Sequence, residues 1–294
     1  MQLQHERISE NVYWFQSEIY AQVTAGVVTG PQWAAIIDTL ATPEETLEMR
    51  TYIEEQLNVP VHYIINTHSH ADHAWGNCFF PGATLIAHAL CRKLFEEKGQ
   101  SALELARQQN PIFKQVKLVL PHLTFTQGQL SLRIGKKNLI LLPTPGHSHD
   151  SISVLVEEDR ILFAGDAFLP LPYFVDGDID QLASSIKNIG KMGLENIVQG
   201  HGDIILRGEI EDAVKENLAY LSALRKAVRN ALRRKNPIEF LNSVDIESCK
   251  KSRVALGGLA AELHKRNLAA LYKKMAASPE SQSEDTPDSN DRTI

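Results

Sequence analysis

The sequence predicts an α/β fold of two sheets with helices packed outside them, followed by a C-terminal helical extension. Short runs of β-branched and aromatic residues, bounded by Gly and Pro, recur through the first two-thirds of the 294-residue chain. Such runs are typical of consecutive strands, and helical patterns separate them at intervals. Beyond residue 209, apolar residues instead recur every three or four positions, which indicates long amphipathic helices.

The N-terminal elements follow from local signals. Thr42 precedes Pro43 and is followed three residues later by Glu45, a capping box that predicts a helix from residue 43 to about 57. The segment 100–120 is ambiguous between a helix and a loop. The remaining predicted elements of this half are strands at 12–16, 21–28, 33–38, 61–66 and 83–88, and a helix at 89–98.

Short strand-like segments recur after residue 120. Five segments predict strands: "LTFT", "LSLRI", "NLILLP", "SISVLVE" and "RILFAG". Asp178 opens a predicted helix at 178–189, and "NIVQG" is a further strand that ends just before His201.

We predict three regions: a main domain at 1–208, a helical extension at 209–276 and a disordered acidic tail at 277–294. The tail, "ASPESQSEDTPDSNDRTI", has almost nothing to bury. The first helix of the extension presents one apolar face, formed by Val214, Leu218, Leu221, Leu224, Val228 and Leu232. A second helix is predicted through Leu256, Leu259, Leu263, Leu271 and Met275.

Charge and cysteine content narrow the class of protein. The formal net charge is −6, yet residues 213–275 hold 14 Lys and Arg against 5 Asp and Glu. The cysteines, Cys78, Cys91 and Cys249, lack CxxC spacing, so we expect reduced thiols. No run of about 18 apolar residues and no signal-peptide pattern occur, so we expect a cytoplasmic protein without a membrane span.

Metal-binding residue types follow four of the predicted strands. Loops at strand ends are where α/β sheets gather functional residues. The candidates are His68, His70, Asp72 and His73 in "NTHSHADH", His147 in "PTPGHSHDS", Asp166 in "FAGDAF" and His201 in "VQGHGD". Imidazole and carboxylate suit zinc, iron or manganese, and seven ligands suffice for two metals if Asp166 bridges them.

A purely structural role for these residues is the alternative. A single histidine after a strand is more often a polar residue with ordinary hydrogen bonds than a metal ligand. Seven such groups buried without partners would each cost roughly 1–3 kcal/mol. The set as a whole, with its H-x-H-x-D-H spacing, therefore predicts a metal site.

The string "HSHADH" and the three later motifs resemble the signature of the metallo-β-lactamase-fold metallo-hydrolase superfamily, over about residues 10 to 210. The resemblance implies an αββα sandwich with a dinuclear site at one edge, holding two divalent ions, zinc or else iron or manganese. It assigns His68, His70, His147 and a bridging Asp166 to one metal, and Asp72, His73, His201 and Asp166 to the other. It also implies that Asp38 in "IIDTL" braces the metal loop.

The expected chemistry is hydrolysis of a small ester, thioester or lactone. Two cations about 3.5–4 Å apart can share a hydroxide, because coordination lowers the pKa of water from 15.7 toward about 7. Asp72 would orient this nucleophile as the catalytic residue. We expect His149 and Asp150 to hydrogen-bond the ligating histidines. Four aromatic residues flank the motifs and either line a substrate pocket or belong to the core: Trp75, Phe168, Tyr173 and Phe174.

Several branches of the superfamily stay open. A secreted β-lactamase is disfavoured because no signal peptide precedes the domain. A glyoxalase II-like or uncharacterised hydrolase is favoured, with a persulfide dioxygenase using one iron as the alternative. A nucleic-acid enzyme or binding protein is disfavoured, because only 34 residues lie between Asp166 and His201, too few for a cap domain. We expect a small-molecule substrate and leave open a homodimer through the C-terminal helices.

Overall fold

Two sheets stack at the centre of the fold in the computed structural model, which describes residues 3–277. The first sheet has its strands in sequence order, antiparallel from β1 to β4 and parallel from β4 to β7. These strands are β1 Gln4–Ser9, β2 Val12–Gln16, β3 Thr24–Thr29, β4 Ala34–Ile37, β5 Val61–Ile65, β6 Thr84–His88 and β7 Leu123–Phe125.

The second sheet has the order β13-β12-β11-β10-β9-β8. Its strands are β8 Leu130–Ile134, β9 Lys137–Pro143, β10 Ile152–Val156, β11 Ile161–Gly165, β12 Asn196–Gln199 and β13 Ile204–Leu206. Only β11 and β12 pair in parallel here, and the other neighbouring strands of this sheet are antiparallel. The parallel pair sends the carboxyl ends of both strands to one edge, which is where Asp166 and His201 follow them.

Helices cover the outer face of each sheet. Those in the described part of the chain are α1 Pro43–Thr51, α2 Ala71–Ala74, α3 Ala89–Leu94, α4 Gln100–Gln109, α5 Ile179–Ile189, α6 Ile210–Leu232, α7 Pro237–Ser243 and α8 Ala260–Ala276. π-helical turns at Tyr52–Gln56 and Phe95–Gly99 extend α1 and join α3 to α4. Short 3₁₀ turns occupy Trp75–Phe79, Pro111–Gln115, Glu247–Cys249 and Leu256–Gly258.

Apolar clusters hold these layers together. Between the sheets, Trp14 and Ile65 of the first meet Leu141 and Phe163 of the second. Met49 packs on the outer face of the first sheet. The outer face of the second sheet is covered by α5 and by the C-terminal helices. The α/β class and the αββα sandwich with a C-terminal helical extension, both predicted from sequence, are therefore confirmed.

Helix caps appear where the sequence placed them. The Thr42 hydroxyl accepts the Glu45 N–H at 3.4 Å and donates to the Glu45 carboxylate at 3.0 Å, and the π turn then carries the helix to Gln56. Asp178 accepts the N–H groups of Asp180 and Gln181 at 2.8 and 2.9 Å and starts α5.

The C-terminal extension differs from the prediction at its second helix. The expected helix through Leu256 begins only at Ala260, because Gly257 and Gly258 adopt φ values of 63° and 93°. This left-handed backbone, which favours glycine, ends the 3₁₀ turn and lets α8 start in a new direction. The boundary at 208/209 stays a prediction, and the predicted tail lies outside the described residues apart from residue 277.

Between residues 3 and 277, no helix is both long enough and apolar enough to cross a bilayer.

The leucine stripe of α6 should carry much of the stability of this layer. Leu224 is fully buried in the cluster that joins α6 to α5 and β11. We expect Leu224→Ala to lower the free energy of unfolding by about 2–5 kcal/mol, measured by chemical denaturation. Leu105→Ala, at a leucine that is 56% exposed, is the matched control and should change it by less than about 0.5 kcal/mol. Equal effects would mean that α6 does not contribute its apolar face to the core.

Candidate metal centre

The seven candidate residues meet at one edge of the sandwich, beyond the carboxyl ends of four strands. The loop and short helix α2 after β5 carry four of them, and the loops after β9, β11 and β12 carry one each. Their ligating atoms form two groups, in each of which the atoms lie within 4.8 Å of one another. The first group is His68, His70, His147 and Asp166, and the second is Asp72, His73 and His201.

The carboxylate of Asp166 joins the two groups. Its Oδ2 lies 3.3 Å from Nε2 of His147 and 3.9 Å from Nε2 of His68. Its Oδ1 lies 3.2 Å from Nε2 of His73 and 3.7 Å from Nε2 of His201. One oxygen therefore faces each group, the geometry that a bridging ligand requires.

In the first group, each ring nitrogen that points away from the cluster has a partner. Nδ1 of His147 donates to the Tyr173 carbonyl at 2.8 Å, so this histidine carries its proton on Nδ1 and turns its Nε2 lone pair inward. Nδ1 of His68 lies 3.0 Å from the Thr67 hydroxyl. Nε2 of His70 lies 3.3 Å from the Asp176 carboxylate, while its Nδ1 is 2.9 Å from Nε2 of His147.

The second group is braced in the same way. Nδ1 of His73 donates to Asp38 at 2.8 Å, and Asp38 also accepts the Thr67 N–H and hydroxyl at 2.8 and 2.7 Å. Asp38 thus holds the metal loop, as the sequence predicted. Nδ1 of His201 donates to the Ala21 carbonyl at 2.9 Å, and its Nε2 lies 3.3 Å from the Asp72 carboxylate.

His149 and Asp150 do not hold the ligating histidines, contrary to the prediction. The outward nitrogen atoms of His147 and His201 donate to the main-chain carbonyls of Tyr173 and Ala21 instead. His149 is exposed, and Asp150 is buried beside the Cys91 thiol. Burial, followed by the charge of Asp150, raises the pKa of Cys91 well above its ordinary value.

Opposite charges keep the centre ionised. Burial raises the pKa of a carboxyl group, but the rings of His201 and His147 outweigh it and hold the pKa of Asp166 well below its usual range. Burial lowers the pKa of His73, yet Asp166 and Asp38 together raise it well above 6.5. Burial lowers the pKa of His147 to about 4, so this ring stays neutral and able to donate its lone pair.

Several buried atoms at the centre lack a hydrogen-bond partner within the described chain. They are Nε2 of His68, Nε2 of His73 and Oδ1 of Asp166. Unpaired buried polar atoms are rare because each costs free energy, and all three point into the cluster. A divalent cation accepts lone pairs from such atoms, and imidazole with carboxylate is a suitable donor set. The residues present therefore fit metal ions.

Comparison with known proteins agrees with this geometry. A family model described as "Metallo-beta-lactamase superfamily" matches residues 20–230. The chain belongs to this superfamily. The recognition made from "HSHADH" and the later motifs is therefore confirmed at the level of the superfamily, while the glyoxalase II-like branch stays a prediction.

Individual members of the superfamily are distant from this chain. "Lactamase-like protein nscB" of Trichophyton verrucosum is 26% identical over 178 residues, covering 58% of this chain and 54% of that protein. "Thioesterase pkgB" of Emericella nidulans is 28% identical over 175 residues, covering 58% of this chain and 43% of that protein. The chain thus spans about half the length of these curated relatives.

A solved metallo-β-lactamase from Pontibacter korlensis has a TM-score of 0.61 at 22% identity, with 74% of this chain and 99% of that chain covered. At this identity the likeness shows the fold alone.

In this metallo-β-lactamase superfamily member, the C-terminal extension forms part of the site. A cavity of about 320 Å³ lies over the two groups. Tyr20 and Tyr173 line it on the sandwich side, and the extension contributes Leu256, Leu259, Leu263 and Arg266. Of the flanking aromatic residues, Tyr173 lines this cavity and Trp75 a neighbouring cleft, whereas Phe168 and Phe174 are core residues.

The main-chain supports of the centre were not predicted from sequence. Ala21 and Gln22 adopt left-handed φ values of 46° and 55°, which aim the Ala21 carbonyl at His201. Such backbone costs about 1–3 kcal/mol at a non-glycine residue and persists only where surrounding contacts hold it. Here the Thr24 N–H donates to the Gly200 carbonyl at 2.9 Å, and Val23 bridges to His201. No residue-type signal marks a carbonyl at an alanine.

A polar side chain of the extension supports the loop that carries Tyr173. The Asn267 amide on α8 donates to the Pro172 carbonyl at 2.8 Å, and its oxygen accepts the Phe174 N–H at 3.3 Å. The same amide nitrogen also donates to the hydroxyl of Tyr220 on α6 at 3.2 Å. Since Tyr173 lies between the two residues that Asn267 holds, its carbonyl is fixed against Nδ1 of His147.

Substitution of Gly200 should disturb the bridging carboxylate. A Cβ atom at this glycine would lie 2.0 Å from Oδ1 of Asp166, so Gly200→Ala must displace that oxygen. We expect metal content after gel filtration, measured by plasma emission, to fall by about half or more, because second-group binding depends on Oδ1. Gly208→Ala is the matched control, since its Cβ would meet no atom within 4 Å. Full metal content in Gly200→Ala would exclude a bridging role for Asp166.

Loss of the Asn267 hydrogen bonds to Pro172 and Phe174 should weaken metal binding, although Asn267 is not itself a candidate ligand. Asn267→Ala frees the Pro172–Phe174 loop, and we expect metal affinity to fall about 10-fold in a chelator competition assay. Leu268→Ala, a buried neighbour on α8, controls for stability: it should lower the melting temperature without a comparable loss of affinity. If both variants lose affinity in proportion to stability, Asn267 has no specific role in positioning His147.

Proposed function

We propose that this protein is a metallo-hydrolase that cleaves small esters, thioesters or lactones with two divalent cations. Zinc is the first choice, and iron or manganese suit the same ligands. The observation that carries the proposal is the placement of Asp166, whose two oxygen atoms face two separate ligand groups. Each group offers imidazole together with a carboxylate, so each can bind a cation of its own.

The ligand assignment follows the two groups. His68, His70 and His147 would hold one cation, Asp72, His73 and His201 the other, and Asp166 would bridge them. When bound, the cations supply a hydroxide nucleophile near neutral pH and polarise the carbonyl under attack.

The chain's own groups would orient the reactants. The pKa of Asp72 lies below its ordinary value, because nearby His73 and His201 outweigh the opposing effect of burial. As an ionised carboxylate in the cavity it can accept a hydrogen bond from the nucleophile and align it. The charge of Asp72 and burial raise the pKa of Tyr20, so its hydroxyl stays protonated and can donate to a substrate oxygen.

A small-molecule substrate is favoured over nucleic acid by the cavity of about 320 Å³ over the two groups, which the extension helps to line, and by the partial pairing of the extension's basic residues. Basic residues attract phosphate backbones best when they are not already neutralised. Six of the 14 basic residues in the 213–275 segment form ion pairs with carboxylates, which lowers the charge open to a phosphate backbone: Lys215, Arg225, Lys251, Arg253, Arg266 and Lys274. The relative named as a thioesterase supports including thioesters among the candidates. A cytoplasmic location and a homodimer through the extension stay predictions.

A substrate panel of esters, thioesters, lactones, β-lactams and phosphodiesters tests this proposal. We expect turnover of at least one acyl substrate, lost on chelation and restored by zinc. His68→Ala should lose metal, and Asp72→Asn should lower kcat by about 10²-fold or more. Asp203→Asn, an exposed carboxylate outside both groups, is the matched control and should keep full activity. Oxygen uptake with glutathione persulfide and no hydrolysis would instead make the protein a dioxygenase.

A further inference from the structure

A second cleft adjoins the metal cavity. It has a volume of about 560 Å³ and shares two lining residues, His70 and Ala71, with the cavity over the metal groups. One wall consists of α3, the π turn after it and the start of α4, and the other includes Ser148, His149 and Asp176. Because His70 belongs to the first ligand group, a molecule at the metal centre reaches this cleft directly.

The wall on the helical side is largely apolar. Trp75, Leu90, Leu94 and Phe95 line it, and Leu90 is 39% exposed there. The Trp75 ring is held edge-on against Phe113 with centroids 4.9 Å apart, so this part of the wall is preformed. Three charged residues of the lining, Lys93, Glu97 and Lys98, are exposed to solvent.

We propose that this cleft binds a medium-sized apolar group of the substrate, attached next to the scissile carbonyl. The inference rests on the proposed hydrolase function and names its substrate class. A cleft of this size falls within the about 300–1,000 Å³ typical of small-molecule sites, which are usually apolar with few polar groups. An apolar occupant releases water from Trp75, Leu90 and Leu94, which no other part of the described chain covers completely.

The expected selectivity can be stated as a fold-change. Each methylene buried in an apolar site contributes enough free energy for about a fourfold change in kcat/KM. The metal centre acts equally on all members of a homologous series. If kcat/KM rises with chain length and stops rising when the cleft is full, the rise is therefore due to binding in the cleft and not to the metals.

Two ester series test the proposal with metal-loaded protein. One lengthens the acyl group on a fixed leaving group, and the other lengthens the alcohol on a fixed acyl group. We expect kcat/KM to rise about fourfold per methylene in one series, which identifies the side of the scissile bond that occupies the cleft. A flat profile in both series would overturn the proposal while leaving the hydrolase function intact.

Matched variants test whether the dependence of kcat/KM on chain length arises in the cleft. Leu94→Trp fills the cleft and should flatten the chain-length profile, with metal content unchanged. Leu105→Trp adds the same bulk at an exposed position of α4 outside the cleft and should keep the wild-type profile. Ala102→Phe narrows the cleft at a second lining position, in case Leu94→Trp folds poorly. Identical profiles in the wild type and both cleft variants would refute the assignment.

A binding measurement separates failure of this proposal from failure of the hydrolase function. Calorimetric titration of metal-loaded protein with acetate and with octanoate compares two carboxylates that differ only in their apolar chain. We expect octanoate to bind at least about 100-fold more tightly, and Leu94→Trp to remove most of this preference. That result without hydrolysis of any ester would retain the cleft and reject the hydrolase. Equal binding of the two acids, together with flat profiles in both ester series, would reject the cleft.

Discussion

The carboxylate of Asp166 is the group on which the centre depends, because it is buried and ionised between four imidazole rings. A buried charge is tolerated only when opposite charges and fixed dipoles surround it. Asp38 contributes by orienting His73 from the opposite side of its ring, and Gly200 contributes by leaving room for the Asp166 oxygen. The loops after β5, β11 and β12 must therefore keep the arrangement that surrounds the Asp166 carboxylate with these rings, and the strands that precede the loops hold them in place.

Main-chain carbonyls complete the arrangement by fixing which ring nitrogen carries the proton. Ala21 does so for His201 and Tyr173 for His147, and both carbonyls lie in segments outside the regular strands. Each segment needs support from elsewhere in the chain. Val23 and Thr24 tie the Ala21 segment to the second sheet. Asn267 of the C-terminal extension ties the Tyr173 segment in place. The extension thus contributes to the candidate metal centre as well as to the apolar core.

Strand and helix patterns predicted two sheets with outer helices, and the family resemblance implied that they form a sandwich. Residue type and spacing predicted the seven side chains at the centre. Strand periodicity, the Thr42 capping box and the H-x-H-x-D-H string are local signals that the fold does not override. The carbonyl of Ala21, the Asp176 partner of His70 and the Asn267 clamp depend on long-range contacts, so no local pattern marks them. Strands β1 and β13 and helix α7 were missed because they are short, exposed or weakly patterned.

The difference between local sequence signals and long-range contacts also explains why the sequence indicates a reaction class more readily than a substrate. The ligands stand on loops of the sandwich, where strand ends bring them together. Much of the surface that would contact a substrate comes instead from helices outside the two sheets, with α3 and α4 on one side and the extension on the other. Leu94 and Leu259 resemble any amphipathic-helix residue in sequence, and only their position around His70 and Tyr20 distinguishes them from core residues. Selection among acyl substrates can therefore change in these helices while the metal ligands remain the same.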